Sequence, residues 1–88
     1  MSFSYRKKRP CEVISYFSNG QVYPMKFRYY SVEKARYLTV DVDKIHYVST
    51  RDRNGLKEIT YHLDGKRNRL KERYELYLDP RYKTWWVG

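Results

Sequence analysis

Hydrophobic and polar residues alternate with a period of two along most of the chain, and this pattern is typical of half-buried β-strands. A first strand-like stretch, rich in β-branched and aromatic residues, runs from Cys11 to Phe17, and a second stretch runs from Val22 to Tyr30 and alternates in its second half. Between them lies an Asn-Gly pair that ends at Gly20, and such a pair accepts the positive φ angles of a tight hairpin turn. Pro24 has no N–H to donate, so it is expected at an edge, at a bulge or at the strand start. The sequence therefore predicts an early β-hairpin.

The second stretch of this hairpin has two chemically different faces. One face carries Met25, Phe27 and Tyr29, and the other carries Lys26, Arg28 and Tyr30. Because successive side chains of a strand point to opposite sides, we predict that the first face is core and the second is a basic surface.

The middle of the chain continues the alternation after a polar loop at Ser31 to Arg36. From Tyr37 to Ser49 the positions 38, 40 and 42 are apolar, but this parity changes near Asp43-Lys44. A slip of one residue predicts a bulge or bend, the device that curls small sheets into barrels.

A turn cluster from Arg51 to Gly55 precedes another alternating stretch from Leu56 to Leu63. In this stretch Ile59, Tyr61 and Leu63 share the apolar face. The pair Asp64-Gly65 follows, and we predict that it turns the chain again. This arrangement predicts a second hairpin.

The segment from residue 66 to 78 fits two patterns equally well. Its apolar positions match a helical stripe as well as they match an interrupted strand. The neighbouring turn residues favour a strand from Glu72 to Leu78, a turn at Asp79-Pro80 and a last strand from Thr84 to Val87. We therefore predict an all-β fold, a small antiparallel β-barrel or strongly curled sheet of five to six strands in the SH3-like or OB-like size class.

With 88 residues the chain has room for one domain. Residues 11–88 are predicted to form this domain, and residues 1–10 a basic N-terminal arm that ends at Pro10. The arm could track phosphates, and a solvated, disordered terminus is an equally good interpretation.

The charge balance of the chain gives an indication of its function. There are 19 Lys and Arg against 10 Asp and Glu, so the formal net charge is +9. Such an excess favours a polyanionic partner: nucleic acid first, an acidic protein second and an anionic membrane surface third. A basic surface that serves only solubility is the alternative.

The sequence offers no pattern for catalysis or for a cofactor. Cys11 is the only cysteine, which excludes an intramolecular disulfide and a four-cysteine zinc site. His46 and His62 lack metal-ligand spacing, while Asp41 and Asp43 are expected to pair with cations. We predict neither enzyme activity nor a metal or cofactor. No apolar run approaches the roughly 18 residues of a membrane span, so a cytoplasmic location is expected.

Several segments together resemble a known family. They are RPCEVISYFSNGQVYPMKFRYY, YLTVDVDKIHYVS, ITYHLDG and RYELYLDPRYKTWWV. The chain is similar in these segments to a family of small uncharacterised bacterial proteins, a domain of unknown function often encoded beside error-prone DNA polymerase components. The resemblance implies a small β-barrel and, by genomic association, a role near DNA. Against that pattern, Lys66 to Lys71 looks like an insertion.

A basic run between residues 66 and 73 stands directly before the aromatic tail, and cations next to rings are typical of nucleic-acid binding. We expect Arg67, Arg69, Lys71 and Arg73 to project to one side of an extended hairpin. The adjacent Trp85 and Trp86 must face opposite sides of their strand. The residues predicted to bind nucleic acid are Arg6, Lys7, Lys8, Arg9, Arg28, Lys66, Arg67, Arg69, Lys71, Arg73, Tyr82, Trp85 and Trp86.

Two alternatives remain open for this basic run and for the function. The run could be a solvated hairpin tip that is charged to prevent edge-to-edge aggregation. The domain could also be a protein-interaction module, in a DNA-repair or other assembly, that binds an acidic partner.

Overall fold

Six antiparallel strands close into a barrel in chain order, so the predicted all-β barrel is confirmed. The computed structural model describes residues 8–88, apart from the side chain of residue 53. The strands are β1 (Arg9–Ser18), β2 (Gln21–Ser31), β3 (Arg36–Arg53), β4 (Leu56–Arg67), β5 (Leu70–Asp79) and β6 (Thr84–Val87). Each strand pairs with the next one, and β6 pairs with β1, which closes the sheet.

The core consists of the inward side chains that the period-two pattern selects. The largest fully buried ones are Phe27, Val40, Leu63 and Leu76. Tyr61, Leu78 and Val87 complete the buried cluster. Leu63 and Phe27 were both predicted to be core, and the alternation of their strands places them inside the barrel.

A bulge in the first hairpin corrects one predicted core position. The register shifts between Ile14 and Ser15, so that Ile14 pairs with Lys26 and Ser15 pairs with Pro24. Pro24 is therefore buried, whereas Met25 is the extra residue and remains 50% exposed. The predicted place of Pro24 at a bulge is confirmed, and the predicted burial of Met25 is wrong.

The parity change near Asp43 is a bulge, as predicted. The β3–β4 register shifts between Val42 and Lys44, and it shifts again between Ile45 and Tyr47. These two irregularities lie in the longest strand, and bulges of this kind increase local twist and bend the sheet. They account for the curvature that closes the barrel.

The predicted turn at Asp64-Gly65 is wrong, because β4 continues through both residues to Arg67. The chain turns instead at Asn68 and Arg69, whose φ angles are 51° and 67°. Gly65 lies inside this strand, and packing explains why the residue is glycine. A Cβ atom there would collide with Cγ1 of Val40 and come within 2.9 Å of the ring of Tyr74. The residues from 70 to 78 form a strand, which confirms the choice of strand over helix.

The domain begins earlier than predicted. Arg9 and Pro10, which we assigned to the arm, are the first residues of β1 and pair with Val87 and Trp86 of β6. Their strand position is explained by closure of the barrel, which requires a partner for β6. The rest of the predicted arm before Lys8 lies outside the described residues, and this includes Arg6 and Lys7.

Candidate nucleic-acid interface

The β4–β5 hairpin divides its basic residues between two faces. Lys66 pairs directly with Lys71, whereas Arg67 pairs with Leu70 across the turn. Since paired residues share a face, and Leu63 and Tyr74 point inward, Lys66, Lys71 and Arg73 point outward. The expectation that positions 67, 69, 71 and 73 share one side is therefore wrong for Arg67. A two-residue turn changes the parity between the strands, and Arg69 lies in that turn.

Arg67 lies on the inward face beside Tyr74. Its Nε atom is buried and has no hydrogen-bond partner among the described residues. Burial raises the pKa of the Tyr74 hydroxyl, and Arg67 acts in the opposite direction. Arg67 thus sits at the rim of the barrel rather than on its outer surface.

A continuous row of paired residues crosses the outside of four strands. Lys26 of β2 pairs with Asp41 of β3, which pairs with Lys66 of β4, which in turn pairs with Lys71 of β5. The row holds three lysines and one aspartate. This composition makes the outer surface of β2 to β5 positive at its centre.

Ion pairs neutralise part of this surface. Asp41 lies 3.5 Å from Lys26 and Asp43 lies 3.3 Å from Lys71, so both aspartates pair with cations as predicted. Within residues 8–88, Lys66, Arg69 and Arg73 have no ion-pair partner. Lys66 and Arg73 lie on the outer face of the strands, where Arg73 faces Asp64, and Arg69 lies in the β4–β5 turn.

Arg28 also points outward, but an acidic neighbour neutralises it. Its guanidinium donates a hydrogen bond to the carboxylate of Glu12 and lies 4.8 Å from the ring centroid of Tyr37. The hydrogen bond to Glu12 raises the pKa of Arg28. Arg28 therefore reaches this surface as a paired cation over a ring.

Two exposed tyrosines complete this surface. Tyr30 and Tyr37 are cross-strand partners with ring centroids 5.3 Å apart in an edge-to-face arrangement. They are 46% and 57% exposed. The alternation of β2 had already put Tyr30 on the face of Lys26 and Arg28, and that was the available signal. We call the outward side chains Lys26, Arg28, Tyr30, Tyr37, Lys66, Lys71 and Arg73 the basic face.

An aspartate, Asp64, also lies on the outer surface next to the basic face. His46 lies 2.9 Å from Asp64, and this hydrogen bond holds the pKa of the Asp64 carboxyl below its usual range. Arg73 and Lys71 act in the same direction through space. Asp64 is therefore an anion on this outer surface, where it faces Arg73 across β4 and β5.

The predicted tryptophans and Tyr82 are not part of the basic face. Trp85 packs against the core with its ring centroid 5.7 Å from that of Tyr61. Trp86 points outward and is 38% exposed beside Pro10 and Tyr77. Tyr82 lies in the β5–β6 turn, at the end of the barrel opposite Asn68.

Lys8 and Arg9, the basic arm residues that the structure describes, each lie over an aromatic ring. Lys8 lies 3.2 Å from a carboxylate oxygen of Glu58 and 4.1 Å above the ring of Tyr77. The guanidinium of Arg9 lies 5.8 Å from the ring of Tyr29. Lys8 is therefore paired outside the basic face, whereas Arg9 lines a cavity at the end of the barrel together with Arg73.

The thiol of Cys11 gives a direct test of the packing between β1 and β6. Burial raises the pKa of Cys11 to about 12. Because the thiolate is the reactive form, we expect the folded protein at pH 8 to react with a disulfide reagent such as DTNB at least tenfold more slowly than the protein in urea. Equal rates in the two conditions would mean that Cys11 is not protected by the fold.

The part of the chain that the structure describes contains neither a cluster of metal ligands nor a membrane-spanning helix. There, no group of three or more His, Cys, Asp or Glu residues is arranged to hold a metal ion. No helix within residues 8–88 is long and apolar enough to cross a membrane.

The fold and its surface define a small, closed, up-and-down antiparallel barrel with a basic outer face. Comparison of the chain with family models, curated proteins and solved structures gives no match. The resemblance to the bacterial domain of unknown function stays a prediction.

Proposed function

We propose that the protein binds single-stranded nucleic acid through the basic face and does not catalyse a reaction on it. Lys66, Lys71 and Arg73 would contact phosphates, and the rings of Tyr30 and Tyr37 would stack on bases. The observation that carries this proposal is the row of paired residues across β2 to β5, in which three lysines accompany one aspartate. Phosphate contacts by such cations release counterions and supply most of the affinity in non-specific binding.

The exposed rings favour a single strand over a duplex. A base can stack on a tyrosine only when it is free of its own stack, and this condition is met in single strands and loops. Tyr30 and Tyr37 lie on the same outer surface as the cations, on β2 and β3, and Lys71 lies on β5. Backbone and base contacts could therefore follow one path, with little dependence on base sequence.

A binding titration tests the proposal directly. A fluorescein-labelled single-stranded oligonucleotide of mixed sequence is titrated with the full chain at low salt, and fluorescence anisotropy is followed. We expect saturable binding, with DNA duplex of the same length bound more weakly. An unchanged anisotropy at all protein concentrations would overturn the proposal.

Removal of the exposed rings should weaken this binding. We expect Tyr30→Ala and Tyr37→Ala each to raise the dissociation constant by roughly 5- to 100-fold, since stacking of one base on an aromatic ring contributes about 1–3 kcal/mol. The matched control is Tyr82→Ala, which removes an exposed ring from the opposite end of the barrel. An equal loss of affinity in all three variants would mean that Tyr30 and Tyr37 do not stack on bases.

A second candidate function rests on a separate observation. Ile14, Tyr16, Phe17 and Met25 are large apolar side chains exposed near the β1–β2 turn. Such clusters mark protein-interaction sites, so the protein-interaction module with an acidic partner remains a proposal. It predicts that the chain binds an acidic polypeptide and that Phe17→Ser weakens this binding. A role in a DNA-repair assembly also stays a prediction.

A further inference from the structure

Three side chains outside the basic face form a hydrogen-bonded chain across neighbouring strands. The hydroxyl of Ser49 in β3 lies 3.2 Å from Nε2 of His62 in β4. Nδ1 of the same imidazole lies 3.1 Å from a carboxylate oxygen of Glu75 in β5. The sequence left His62 without a partner, because these residues are 13 positions apart and only strand pairing brings them together.

The chemistry of the three groups assigns a direction to the protons. The carboxylate of Glu75 can only accept, so Nδ1 carries the hydrogen of that bond. In the neutral imidazole Nε2 is then an acceptor, and the Ser49 hydroxyl donates to it. This is the order of nucleophile, base and orienting acid that serine-dependent acyl transfer requires.

The imidazole is also fixed on its other sides. The ring of Tyr47 stacks on the imidazole with centroids 4.1 Å apart and an interplanar angle of 14°. The hydroxyl of Tyr77 donates to the second carboxylate oxygen of Glu75 at 3.0 Å. Both contacts restrict rotation of His62 and Glu75, so the geometry toward Ser49 is maintained by its neighbours.

A cavity of about 460 Å³ opens beside this chain. Ser49, His62 and Glu75 line it together with Arg51 and Lys8. Arg51 is two residues from Ser49, so it lies on the same face of β3. Its guanidinium forms no ion pair within the described residues and is suited to stabilise a developing oxyanion.

We propose that this cavity is a second site, in which Ser49 takes the acyl group from a carboxylic ester. The Ser49 Oγ bonds to the ester carbonyl carbon while His62 Nε2 accepts the hydroxyl proton. The carbon–oxygen bond of the ester then breaks, and the alcohol leaves with that proton. Water attacks the acyl-serine by the same route, which releases the carboxylic acid and restores the Ser49 hydroxyl. Glu75 is a positioning residue for His62.

A covalent probe tests this proposal without a known substrate. The full chain is incubated with a fluorophosphonate, in which Ser49 Oγ displaces fluoride from phosphorus, and the adduct is located by peptide mass spectrometry. We expect one adduct per chain, on Ser49, with no adduct in Ser49→Ala. His62→Gln should lower the labelling rate about 100-fold or more, as for loss of a general base.

Two further variants separate chemistry from structure. Thr50→Ala removes another hydroxyl from the same cavity and should label at the unaltered rate. Glu75→Gln should label slowly and with a changed pH profile, and circular dichroism shows whether each variant is folded. Labelling of folded His62→Gln at the original rate, or the absence of an adduct on Ser49, would overturn the proposal. Oligonucleotide binding by Ser49→Ala should be unchanged, so the proposal for the cavity and the proposal for the basic face are tested independently.

Discussion

Reversal of the charges of Lys66 and Arg73 is expected to weaken binding of a single-stranded oligonucleotide by roughly 10- to 100-fold. Two unit charges 4 Å apart interact by about 1 kcal/mol in water, so two reversals change the binding free energy by about 4 kcal/mol at most, and screening by salt reduces this to roughly 1.4–2.8 kcal/mol. Neither residue has an ion-pair partner within residues 8–88, but Arg73 faces Asp64 and Lys66 faces Asp41 across the strands, so circular dichroism is used to show that the double variant is folded. Anisotropy titration of Lys66→Glu/Arg73→Glu measures the loss.

The matched control reverses two exposed cations at the other end of the barrel. Lys57 is the second residue of β4 and Lys83 lies just before β6, so Lys57→Glu/Lys83→Glu changes the net charge by the same amount. We expect it to weaken binding by less than threefold, because the altered charges lie far from the bound strand. An equal loss in both double variants would indicate attraction by total charge, with no interface on the basic face.

Substitution of Gly65 is expected to have the largest effect on stability. A Cβ atom at this position meets the Val40 side chain and approaches the Tyr74 ring to 2.9 Å, and both neighbours are packed inside the barrel. Overpacking of this kind costs about 1–3 kcal/mol. We therefore expect Gly65→Ala to lower the free energy of unfolding by this amount in urea denaturation.

A second substitution tests whether the collision is the cause. Val40→Ala removes the methyl group that the new Cβ would meet, at the cost of a small cavity. The double variant Gly65→Ala/Val40→Ala should therefore lose less stability than the sum of the two single losses. Additive losses would mean that Gly65 is required for a reason other than space.

The strands were predictable because one face of each is buried, and burial imposes a period of two on the residues. The misplaced turn shows the limit of that signal. Asp64-Gly65 has the composition of a turn, but Gly65 is required by packing against Val40 and Tyr74, which are remote in sequence. Met25 was misplaced because the bulge opposite Ile14 and Ser15 reverses the alternation.

The basic face was only partly predictable for a related reason. The positions of Lys66, Lys71 and Arg73 depend on a two-residue turn that changes the parity across the hairpin. Tyr30 was on the basic side of its strand from the pattern alone. The neighbours of His62 could not be predicted, because the register of three strands decides which side chains meet.

The salt dependence of oligonucleotide binding tests directly whether the basic face contacts phosphates. Binding through phosphate contacts predicts that the logarithm of the association constant falls linearly with the logarithm of salt concentration, by about 0.7 per contact for a single strand. Contacts from Lys66, Lys71 and Arg73 therefore predict a slope of about −2. Binding that is absent at low salt, or that persists unchanged when salt is raised several-fold, would contradict the account.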